Sequence, residues 1–405
     1  VKILVMNAGS SSQKSCLYDV KDSLPEQPPT PLWEAQIDWT HQQGVAEVKV
    51  KTEAATEKQE VAFETRSPVV ARMLETLWSG LTQVVANASE INLVGHRVVH
   101  GGQDYHESVR ITPEVKAKIA DLAVLAPVHN PVNLEGIEAI EAILGDVPQV
   151  AVFDTAFHAR MPESIALYPV PYEWAEHGIR RYGFHGTSHR YCAQRVAQLL
   201  NRDLNELRIV TCHLGNGCSL AAIQEGRSVN TTMGFTPLDG LMMGSRSGSI
   251  DPSILLYLMR EEGYTVDKLE HVLNQGSGLL GVSGVSNDLR LVMQAIEAGN
   301  PRAQLALDMY IQRLKQLIGS MIATMGGLDV LVFTAGVGEN APNIRAGACE
   351  AFGYMGLKLD LEKNNSRSRD QFISTEDSSV KVVVIHTQED WAIAKESWEL
   401  IKAEG

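Results

Sequence analysis

The sequence predicts an α/β fold built from two related domains, on three observations. Apolar runs of strand length alternate with stretches of helical periodicity along the chain. The length, 405 residues, exceeds what one ordinary domain needs. Two short segments far apart resemble each other, Asn7-Ala8-Gly9-Ser10-Ser11-Ser12 and His213-Leu214-Gly215-Asn216-Gly217-Cys218. Each follows an apolar strand with a polar residue, a glycine turn and a second strand. Coincidence between two glycine turns is the alternative.

The elements follow in order. Residues 3–7 read as a buried strand and 15–20 as its hairpin partner. Strand-like runs at 45–50 and 60–63 continue the meander. A helix at 69–85 comes next, then strands at 92–99 and 149–153, the latter closing on Asp154. Residues 208–212 and 219–223 form the second hairpin. A helix over 301–325 carries Tyr310, Leu314, Leu317, Met321 and Met325 at three-to-four spacing, one buried face. A strand at 329–334 runs into Ala335-Gly336-Val337-Gly338-Glu339-Asn340. The last strand is 380–386 and the last helix 390–402.

Composition narrows the function. With 35 Lys and Arg against 49 Asp and Glu, the net charge is −14. Bulk charge therefore repels nucleic acid and anionic membranes, so neither is expected as a partner, and any anion must be held by local groups. Five scattered cysteines read as free thiols of a cytoplasmic protein rather than a disulfide framework. The longest apolar stretch, 317–338, is broken by Gly326-Gly327 and Asp329, so it reads as helix, turn and strand and not as a membrane span. The apolar run at the N-terminus is too short for a signal peptide.

Several segments suit anions. The turn Gly9-Ser10-Ser11-Ser12, with Lys14 after it, offers backbone N–H groups, hydroxyls and a point charge to a phosphate; a Ser-rich hairpin turn is the plain alternative. Asn7 at the strand end reaches a phosphate or a hydrated Mg²⁺. His213-Leu214-Gly215-Asn216-Gly217 is a second phosphate loop or an Asn-Gly turn. Gly336-Val337-Gly338-Glu339-Asn340 is a third, at a strand end leading into a helix. Arg97 and Arg246, both among small residues, carry the fork that matches carboxylate and phosphate. Asp154 is a catalytic carboxylate or a helix N-cap, and Glu389 at a helix start faces a favourable dipole. A Walker A loop is absent from the sequence. The one G-x-G-x-x-G, at Gly276, Gly278 and Gly281, follows a helical pattern and reads as a flexible loop between helices. His96/His100 and His185/His189 have a four-residue spacing but no accompanying Glu, so a zinc site is not expected.

Taken together these segments resemble the acetate kinase family, over essentially the whole chain. The resemblance rests on Val5-Met6-Asn7-Ala8-Gly9-Ser10-Ser11-Ser12-Gln13-Lys14, Gly95-His96-Arg97-Val98-Val99-His100-Gly101-Gly102 and Ala126-Pro127-Val128-His129-Asn130-Pro131. It continues in Phe153-Asp154-Thr155-Ala156-Phe157-His158, Arg181-Tyr182-Gly183-Phe184-His185-Gly186-Thr187-Ser188-His189 and the His213 turn. It ends in Met243-Gly244-Ser245-Arg246-Ser247-Gly248, the Gly336 turn and Glu389.

That resemblance implies two actin-like (ribonuclease H-like) domains with a nucleotide cleft between them, residues 1–153 with 387–405, and residues 154–386. It implies reversible transfer of the ATP γ-phosphoryl group to acetate, giving acetyl phosphate and ADP, in a homodimer with Mg²⁺ (or Mn²⁺ in its place). Carried over, Asn7 and Glu389 resemble the metal positions. Ser10, Ser12, Lys14, His213, Leu214, Gly215, Asn216, Gly217, Asp288, Leu289, Arg290, Gly336, Val337, Gly338, Glu339 and Asn340 resemble the nucleotide-binding segments. Arg97 resembles the acetate-binding arginine and Asp154 the catalytic carboxylate. His185 and Arg246 resemble the transition-state stabilisers. Val99, Val128, Phe184 and Pro237 match the pocket for the methyl group. Two positions depart from the family pattern: Gln13 stands where many relatives have an apolar residue, and Ala335 where Gly is frequent. Propionate kinase is the close alternative. An actin-like ATPase without an acceptor and a nicotinamide oxidoreductase, the latter motivated by the Gly276 loop alone, are the distant ones.

Overall fold

The computed structural model describes residues 1–9, 12–366 and 369–404. Its chain divides into two units, Val1–Ala156 with Gln388–Gly405, and Phe157–Thr387. The first break falls after Ala156 and not after residue 153, so Asp154 belongs to the first unit and not, as expected, to the second. The cause is local. Arg97 grips Asp154, and Thr155 Oγ1 accepts the Gly101 N–H at 3.0 Å. Ala156 packs on the cluster around Phe153.

In the first unit, strand β1 (Lys2–Ala8) pairs antiparallel with β2 (Ser12–Asp19), and β2 with β3 (Trp33–Gln42). Antiparallel strands β4 (Val45–Thr52) and β5 (Thr56–Ala62) extend that edge. On its other side β1 pairs parallel with β6 (Leu93–Val98). Short β7 (Val109–Arg110) lies outside β8 (Gln149–Phe153), which is parallel to β6. The second unit repeats the scheme. Strands β9 (Ile209–Leu214), β10 (Cys218–Gln224) and β11 (Arg227–Thr231) form an antiparallel meander. Strand β12 (Val330–Thr334) is parallel to β9; β13 (Gln371–Phe372) then edges β14 (Lys381–Val384), which is parallel to β12. The orders β3-β2-β1-β6-β8 and β11-β10-β9-β12-β14 are the same ribonuclease H-like arrangement. The two similar segments of the sequence are thus the first hairpins of two equivalent sheets.

Alternation along the strands sorts the helices onto faces. Leu4, Met6 and Val94 share a core with Val69, Val70 and Met73 of the helix Arg66–Glu75 and with Ala139 and Ile140 of the helix Asn130–Leu144. Gly95 points the other way. A Cβ there would stand 2.5 Å from Ser397 Oγ, so only glycine lets the C-terminal helix Glu389–Glu404 lie on β6. In the second unit Ile209, Ala221 and Ile223 pack on Cys192, Ala193 and Val196 of the helix Gly186–Leu200.

The helix Pro301–Met325 has the bounds its pattern predicts. Asn300 caps it by accepting the Arg302 and Ala303 N–H groups, Pro301 occupies the first turn, and Gly326 (φ +69°) ends it. The helix expected at 69–85 is Arg66–Glu75 instead. The Thr76 hydroxyl donates to Met73 O at 2.7 Å and accepts from Trp33 Nε1 at 3.0 Å, which stops the helix against the sheet. Strand β3 lies outside the strands that the sequence predicts although Trp33, Ala35, Ile37 and Trp39 alternate inward; a proline-rich approach masks it. The loop read at the G-x-G-x-x-G is mostly helix: Gly276 caps Val266–Gln275, and Gly278–Ser283 is helical.

Candidate active site

In the first unit the polar groups collect where parallel strands end, the usual ligand-binding edge of an α/β sheet. Asn7 is near the end of β1, Arg97 near the end of β6, and Asp154 directly after β8. Arg97 forks onto Asp154, with Nε to Oδ1 at 3.0 Å and Nη2 to Oδ2 at 2.5 Å. Its Nη1 donates to Asn7 Oδ1 at 3.5 Å. Asp154 is buried and Arg97 nearly so, with 3% and 19% of their side chains exposed. Burial alone would push the guanidinium down; the Asp154 charge and hydrogen bonds reverse this and hold it above its ordinary value. The Nη1–Nη2 edge is then the pair of donors that a substrate carboxylate can take.

The C-terminal helix brings acids to the same place. Asn7 Nδ2 donates to Asp390 Oδ1 at 2.8 Å, and the Cys16 thiol donates to Asp390 Oδ2 at 3.8 Å. Burial raises the Glu389 carboxyl; Arg97 opposes the shift and Asp154 adds to it. Asp390 is also raised, by burial first. This donor set is all oxygen and suits a hard cation. Among the described residues no three His, Cys, Asp or Glu side chains converge to hold a metal by themselves. Mg²⁺ ordinarily takes one or two carboxylates beside phosphates and water, so Glu389 fits such an ion. Asn7 fits less well, because its carbonyl oxygen already faces Arg97.

The second unit is built from imidazoles. Thr211 and His213 continue the face of Ile209 on β9, and Ser219 continues the face of Ala221 and Ile223 on β10. The apolar face that packs on the helix Gly186–Leu200 therefore turns polar at the start of that helix. His185, the N-cap, has left-handed backbone (φ +58°). Its ring stacks on His213, with centroids 4.1 Å apart. A Cβ on Gly217 would stand 3.4 Å from His185 Nε2 and 3.5 Å from Arg246 Nη1, so these two groups flank one point above a glycine. Arg246 Nη1 donates to Pro237 O at 3.3 Å. Burial lowers the Arg246 guanidinium, and among the described residues no carboxylate forms an ion pair with it.

The other expected residues fall as follows. Ser10 lies outside the described residues. Ser12 is partly exposed and Lys14 exposed; Asn216, beside Leu214, Gly215 and Gly217, is exposed at the second hairpin. Gly336, Val337, Gly338, Glu339 and Asn340 belong to a short helix, Ala335–Asn340, that directly follows β12. Both Glu339 oxygens are engaged, one by the Ala335 N–H at 3.1 Å and one by His386 Nδ1 at 2.7 Å, so this carboxylate holds the turn in place. Asp288 caps the helix Leu289–Glu297 and pairs with exposed Arg290, while Leu289 is buried. Val99 and Phe184 are core residues of their own units; Val128 is 59% exposed. His96 and His100 are buried, both pushed down to about 4 by burial, and His96 Nε2 lies 2.6 Å from Gln149 Oε1. Sequence reading missed Asp390 and Ser219. The first stood next to Glu389, and the second sat inside an apolar strand where no local pattern marks it.

Comparisons with known proteins give the family. The Acetokinase family profile matches residues 2–395. Acetate kinase of Gloeobacter violaceus is 65% identical over 404 residues, 99% of this chain and all of that one. The crystal structure of Porphyromonas gingivalis acetate kinase superposes with a TM-score of 0.91 at 42% identity, over 99% of each chain. A propionate kinase from Francisella tularensis gives 0.89 at 38% identity, over 98% of this chain and 99% of that one.

Proposed function

The chain belongs to the acetokinase family, and from that premise we propose how its residues share the work. The reaction is phosphoryl transfer between ATP and acetate, with a carboxyl group as acceptor and acetyl phosphate and ADP as products. The observation that carries the assignment of roles is the contrast between the Arg97–Asp154 pair and the convergence of His185 and Arg246 above Gly217.

Arg97 receives the acetate carboxylate on Nη1 and Nη2, while Asp154 holds the other edge of the guanidinium and fixes its plane. Arg246 and His185 Nε2 meet the oxygens of the transferring phosphoryl group, where charge shifts in the transition state. Positioning and electrostatics are most of what this chemistry needs. Glu389, with Asn7 beside it, would hold Mg²⁺ (Mn²⁺ in its place). When bound, that ion neutralises charge on the phosphate oxygens. Asp154 is already engaged by Arg97 through both oxygens, which favours direct in-line attack by acetate over a phospho-enzyme. Chiral-phosphate analysis is then expected to give net inversion, and retention would contradict it.

We also read the protein as a cytoplasmic homodimer. The helix Ser253–Glu261 has no buried residue, yet Ile254, Leu256, Tyr257 and Met259 are exposed on it. A second copy of the chain is the occupant we assign to that surface. The five cysteines are all buried, and among the described residues no helix is long and apolar enough to cross a membrane.

Hydroxylamine trapping of acyl phosphate across a short-chain acid series tests the activity. Acetate is expected to give the highest kcat/KM, with propionate lower by roughly 10- to 200-fold for one extra methylene. Propionate as the best acceptor would favour the reading suggested by the propionate kinase likeness. No acid-dependent signal would remove both.

A further inference from the structure

His185 Nε2 can serve a phosphoryl oxygen only if that nitrogen carries a hydrogen, and a neutral imidazole carries one hydrogen on one of two nitrogens. Nδ1 of His185 lies 2.8 Å from Ser219 Oγ. The same hydroxyl lies 2.7 Å from His189 Nε2, and His189 Nδ1 lies 2.6 Å from Thr211 Oγ1. Thr211, His189 and Ser219 are all fully buried, at 0% exposure. The proposed role thus falls on an unbroken chain of hydroxyl and imidazole groups that ends on the ring facing Gly217.

We propose that Ser219 is a positioning residue for phosphoryl transfer: its hydroxyl, held between two histidines, sets the tautomer of His185 that keeps hydrogen on Nε2. This rests on the reading of His185 given above. The direction of the chain follows from satisfaction of buried donors. Burial, first, and the neighbouring His158 and His213 hold His189 neutral, far below its ordinary value, so it has one N–H and one acceptor nitrogen. The buried Thr211 hydroxyl donates to His189 Nδ1. His189 Nε2–H then donates to Ser219 Oγ, and Ser219 Oγ–H donates to His185 Nδ1. The hydrogen of His185 consequently sits on Nε2. Without the Ser219 hydroxyl the donor that keeps His185 Nδ1 an acceptor is lost, and the tautomer with hydrogen on Nδ1 presents a lone pair to an anionic oxygen.

A double-mutant cycle tests this. Ser219→Ala is expected to lower kcat about 10- to 100-fold, the scale of one lost buried hydrogen bond, with KM for ATP and acetate within twofold. In a His185→Ala background the same change is expected to cost nothing further. An equal loss in both backgrounds, or a kcat within twofold of the parent for Ser219→Ala alone, overturns the proposal. If His185→Ala itself keeps near-parental turnover, the reading of His185 fails and this inference falls with it. Should Ser219→Ala not fold, Ser219→Thr and Ser219→Val differ by the hydroxyl at similar volume. The threonine variant is then expected to be the active one, and equal activity would contradict the proposal.

Discussion

Arg97 in the first unit and Arg246 in the second, the two arginines proposed for the chemistry, are kept in opposite electrostatic states. Arg97 is locked edge-on to a buried carboxylate, while Arg246 rests on a backbone carbonyl with its charge uncompensated by any described ion pair. A paired guanidinium keeps its orientation and little surplus charge, which suits a singly charged carboxylate. A desolvated guanidinium without a carboxylate is costly until an anion arrives, which suits a phosphoryl group. The surroundings follow the same division: Asn7, Glu389 and Asp390 in the first unit, stacked and hydroxyl-bound imidazoles in the second. Backbone strain divides likewise. Among the described residues the non-glycine positions with positive φ, His185 and Ala335 included, all lie in the second unit.

Activity should respond most strongly. Arg97→Ala and Arg246→Ala are each expected to lower kcat/KM by about 10³–10⁵, the scale of arginine groups in phosphoryl transfer. Steady-state rates check this, and near-parental turnover in either variant would remove that arginine from the scheme. Stability should then separate the pair. Arg97→Ala strands buried Asp154 and is expected to cost about 3–5 kcal/mol, whereas Arg246→Ala releases a backbone carbonyl and strands no charge. Urea unfolding of the two variants reads the difference, and equal midpoints would break the contrast.

Acid comes next. The buried His96 and His100 of the first unit sit at about 4, below the ordinary 6.5. As pH falls the unfolded chain takes protons first, so this stability is complete above about 6.5 and drains towards 4. Each group should cost about 2 kcal/mol at pH 5. A urea midpoint no lower at pH 5 than at pH 7 would contradict this. The smallest effect concerns Ala335, held at φ +65° where β12 passes into the short helix Ala335–Asn340. Ala335→Gly is expected to add about 1 kcal/mol of stability, seen as a rise in Tm; a fall would show that the backbone there is unstrained.

Much of this was legible in the sequence because it is written in local pattern. The helix Pro301–Met325 carries its cap, its proline and its terminal glycine in the chain, and the paired hairpins around Gly9 and Gly215 foretell two equivalent sheets. Gly9 marks the first hairpin turn by composition, whereas the Gly336-Val337 segment, which composition offers as a loop, is the short helix Ala335–Asn340. What escaped depends on chain returning from far away. Arg97 and Asp154 were both visible, but their partnership needs β6 beside β8, and it moves the domain boundary past residue 156. Ser219 looks like an ordinary strand residue until the helix Gly186–Leu200 sets His185 and His189 over it. Glu339 stands in a glycine segment the sequence marks, but its bond to His386 needs β14 beside β12.

The division of labour is tested most directly by initial rates over a matrix of ATP and acetate concentrations for Arg97→Lys and Arg246→Lys. Lysine keeps the charge and loses the fork. Arg97→Lys is expected to raise KM for acetate at least about tenfold with KM for ATP within twofold, and Arg246→Lys to lower kcat with KM for acetate nearly unchanged. The reverse pattern, or a common rise in KM for ATP, would contradict the assignment of the carboxylate to the first unit and the phosphoryl group to the second.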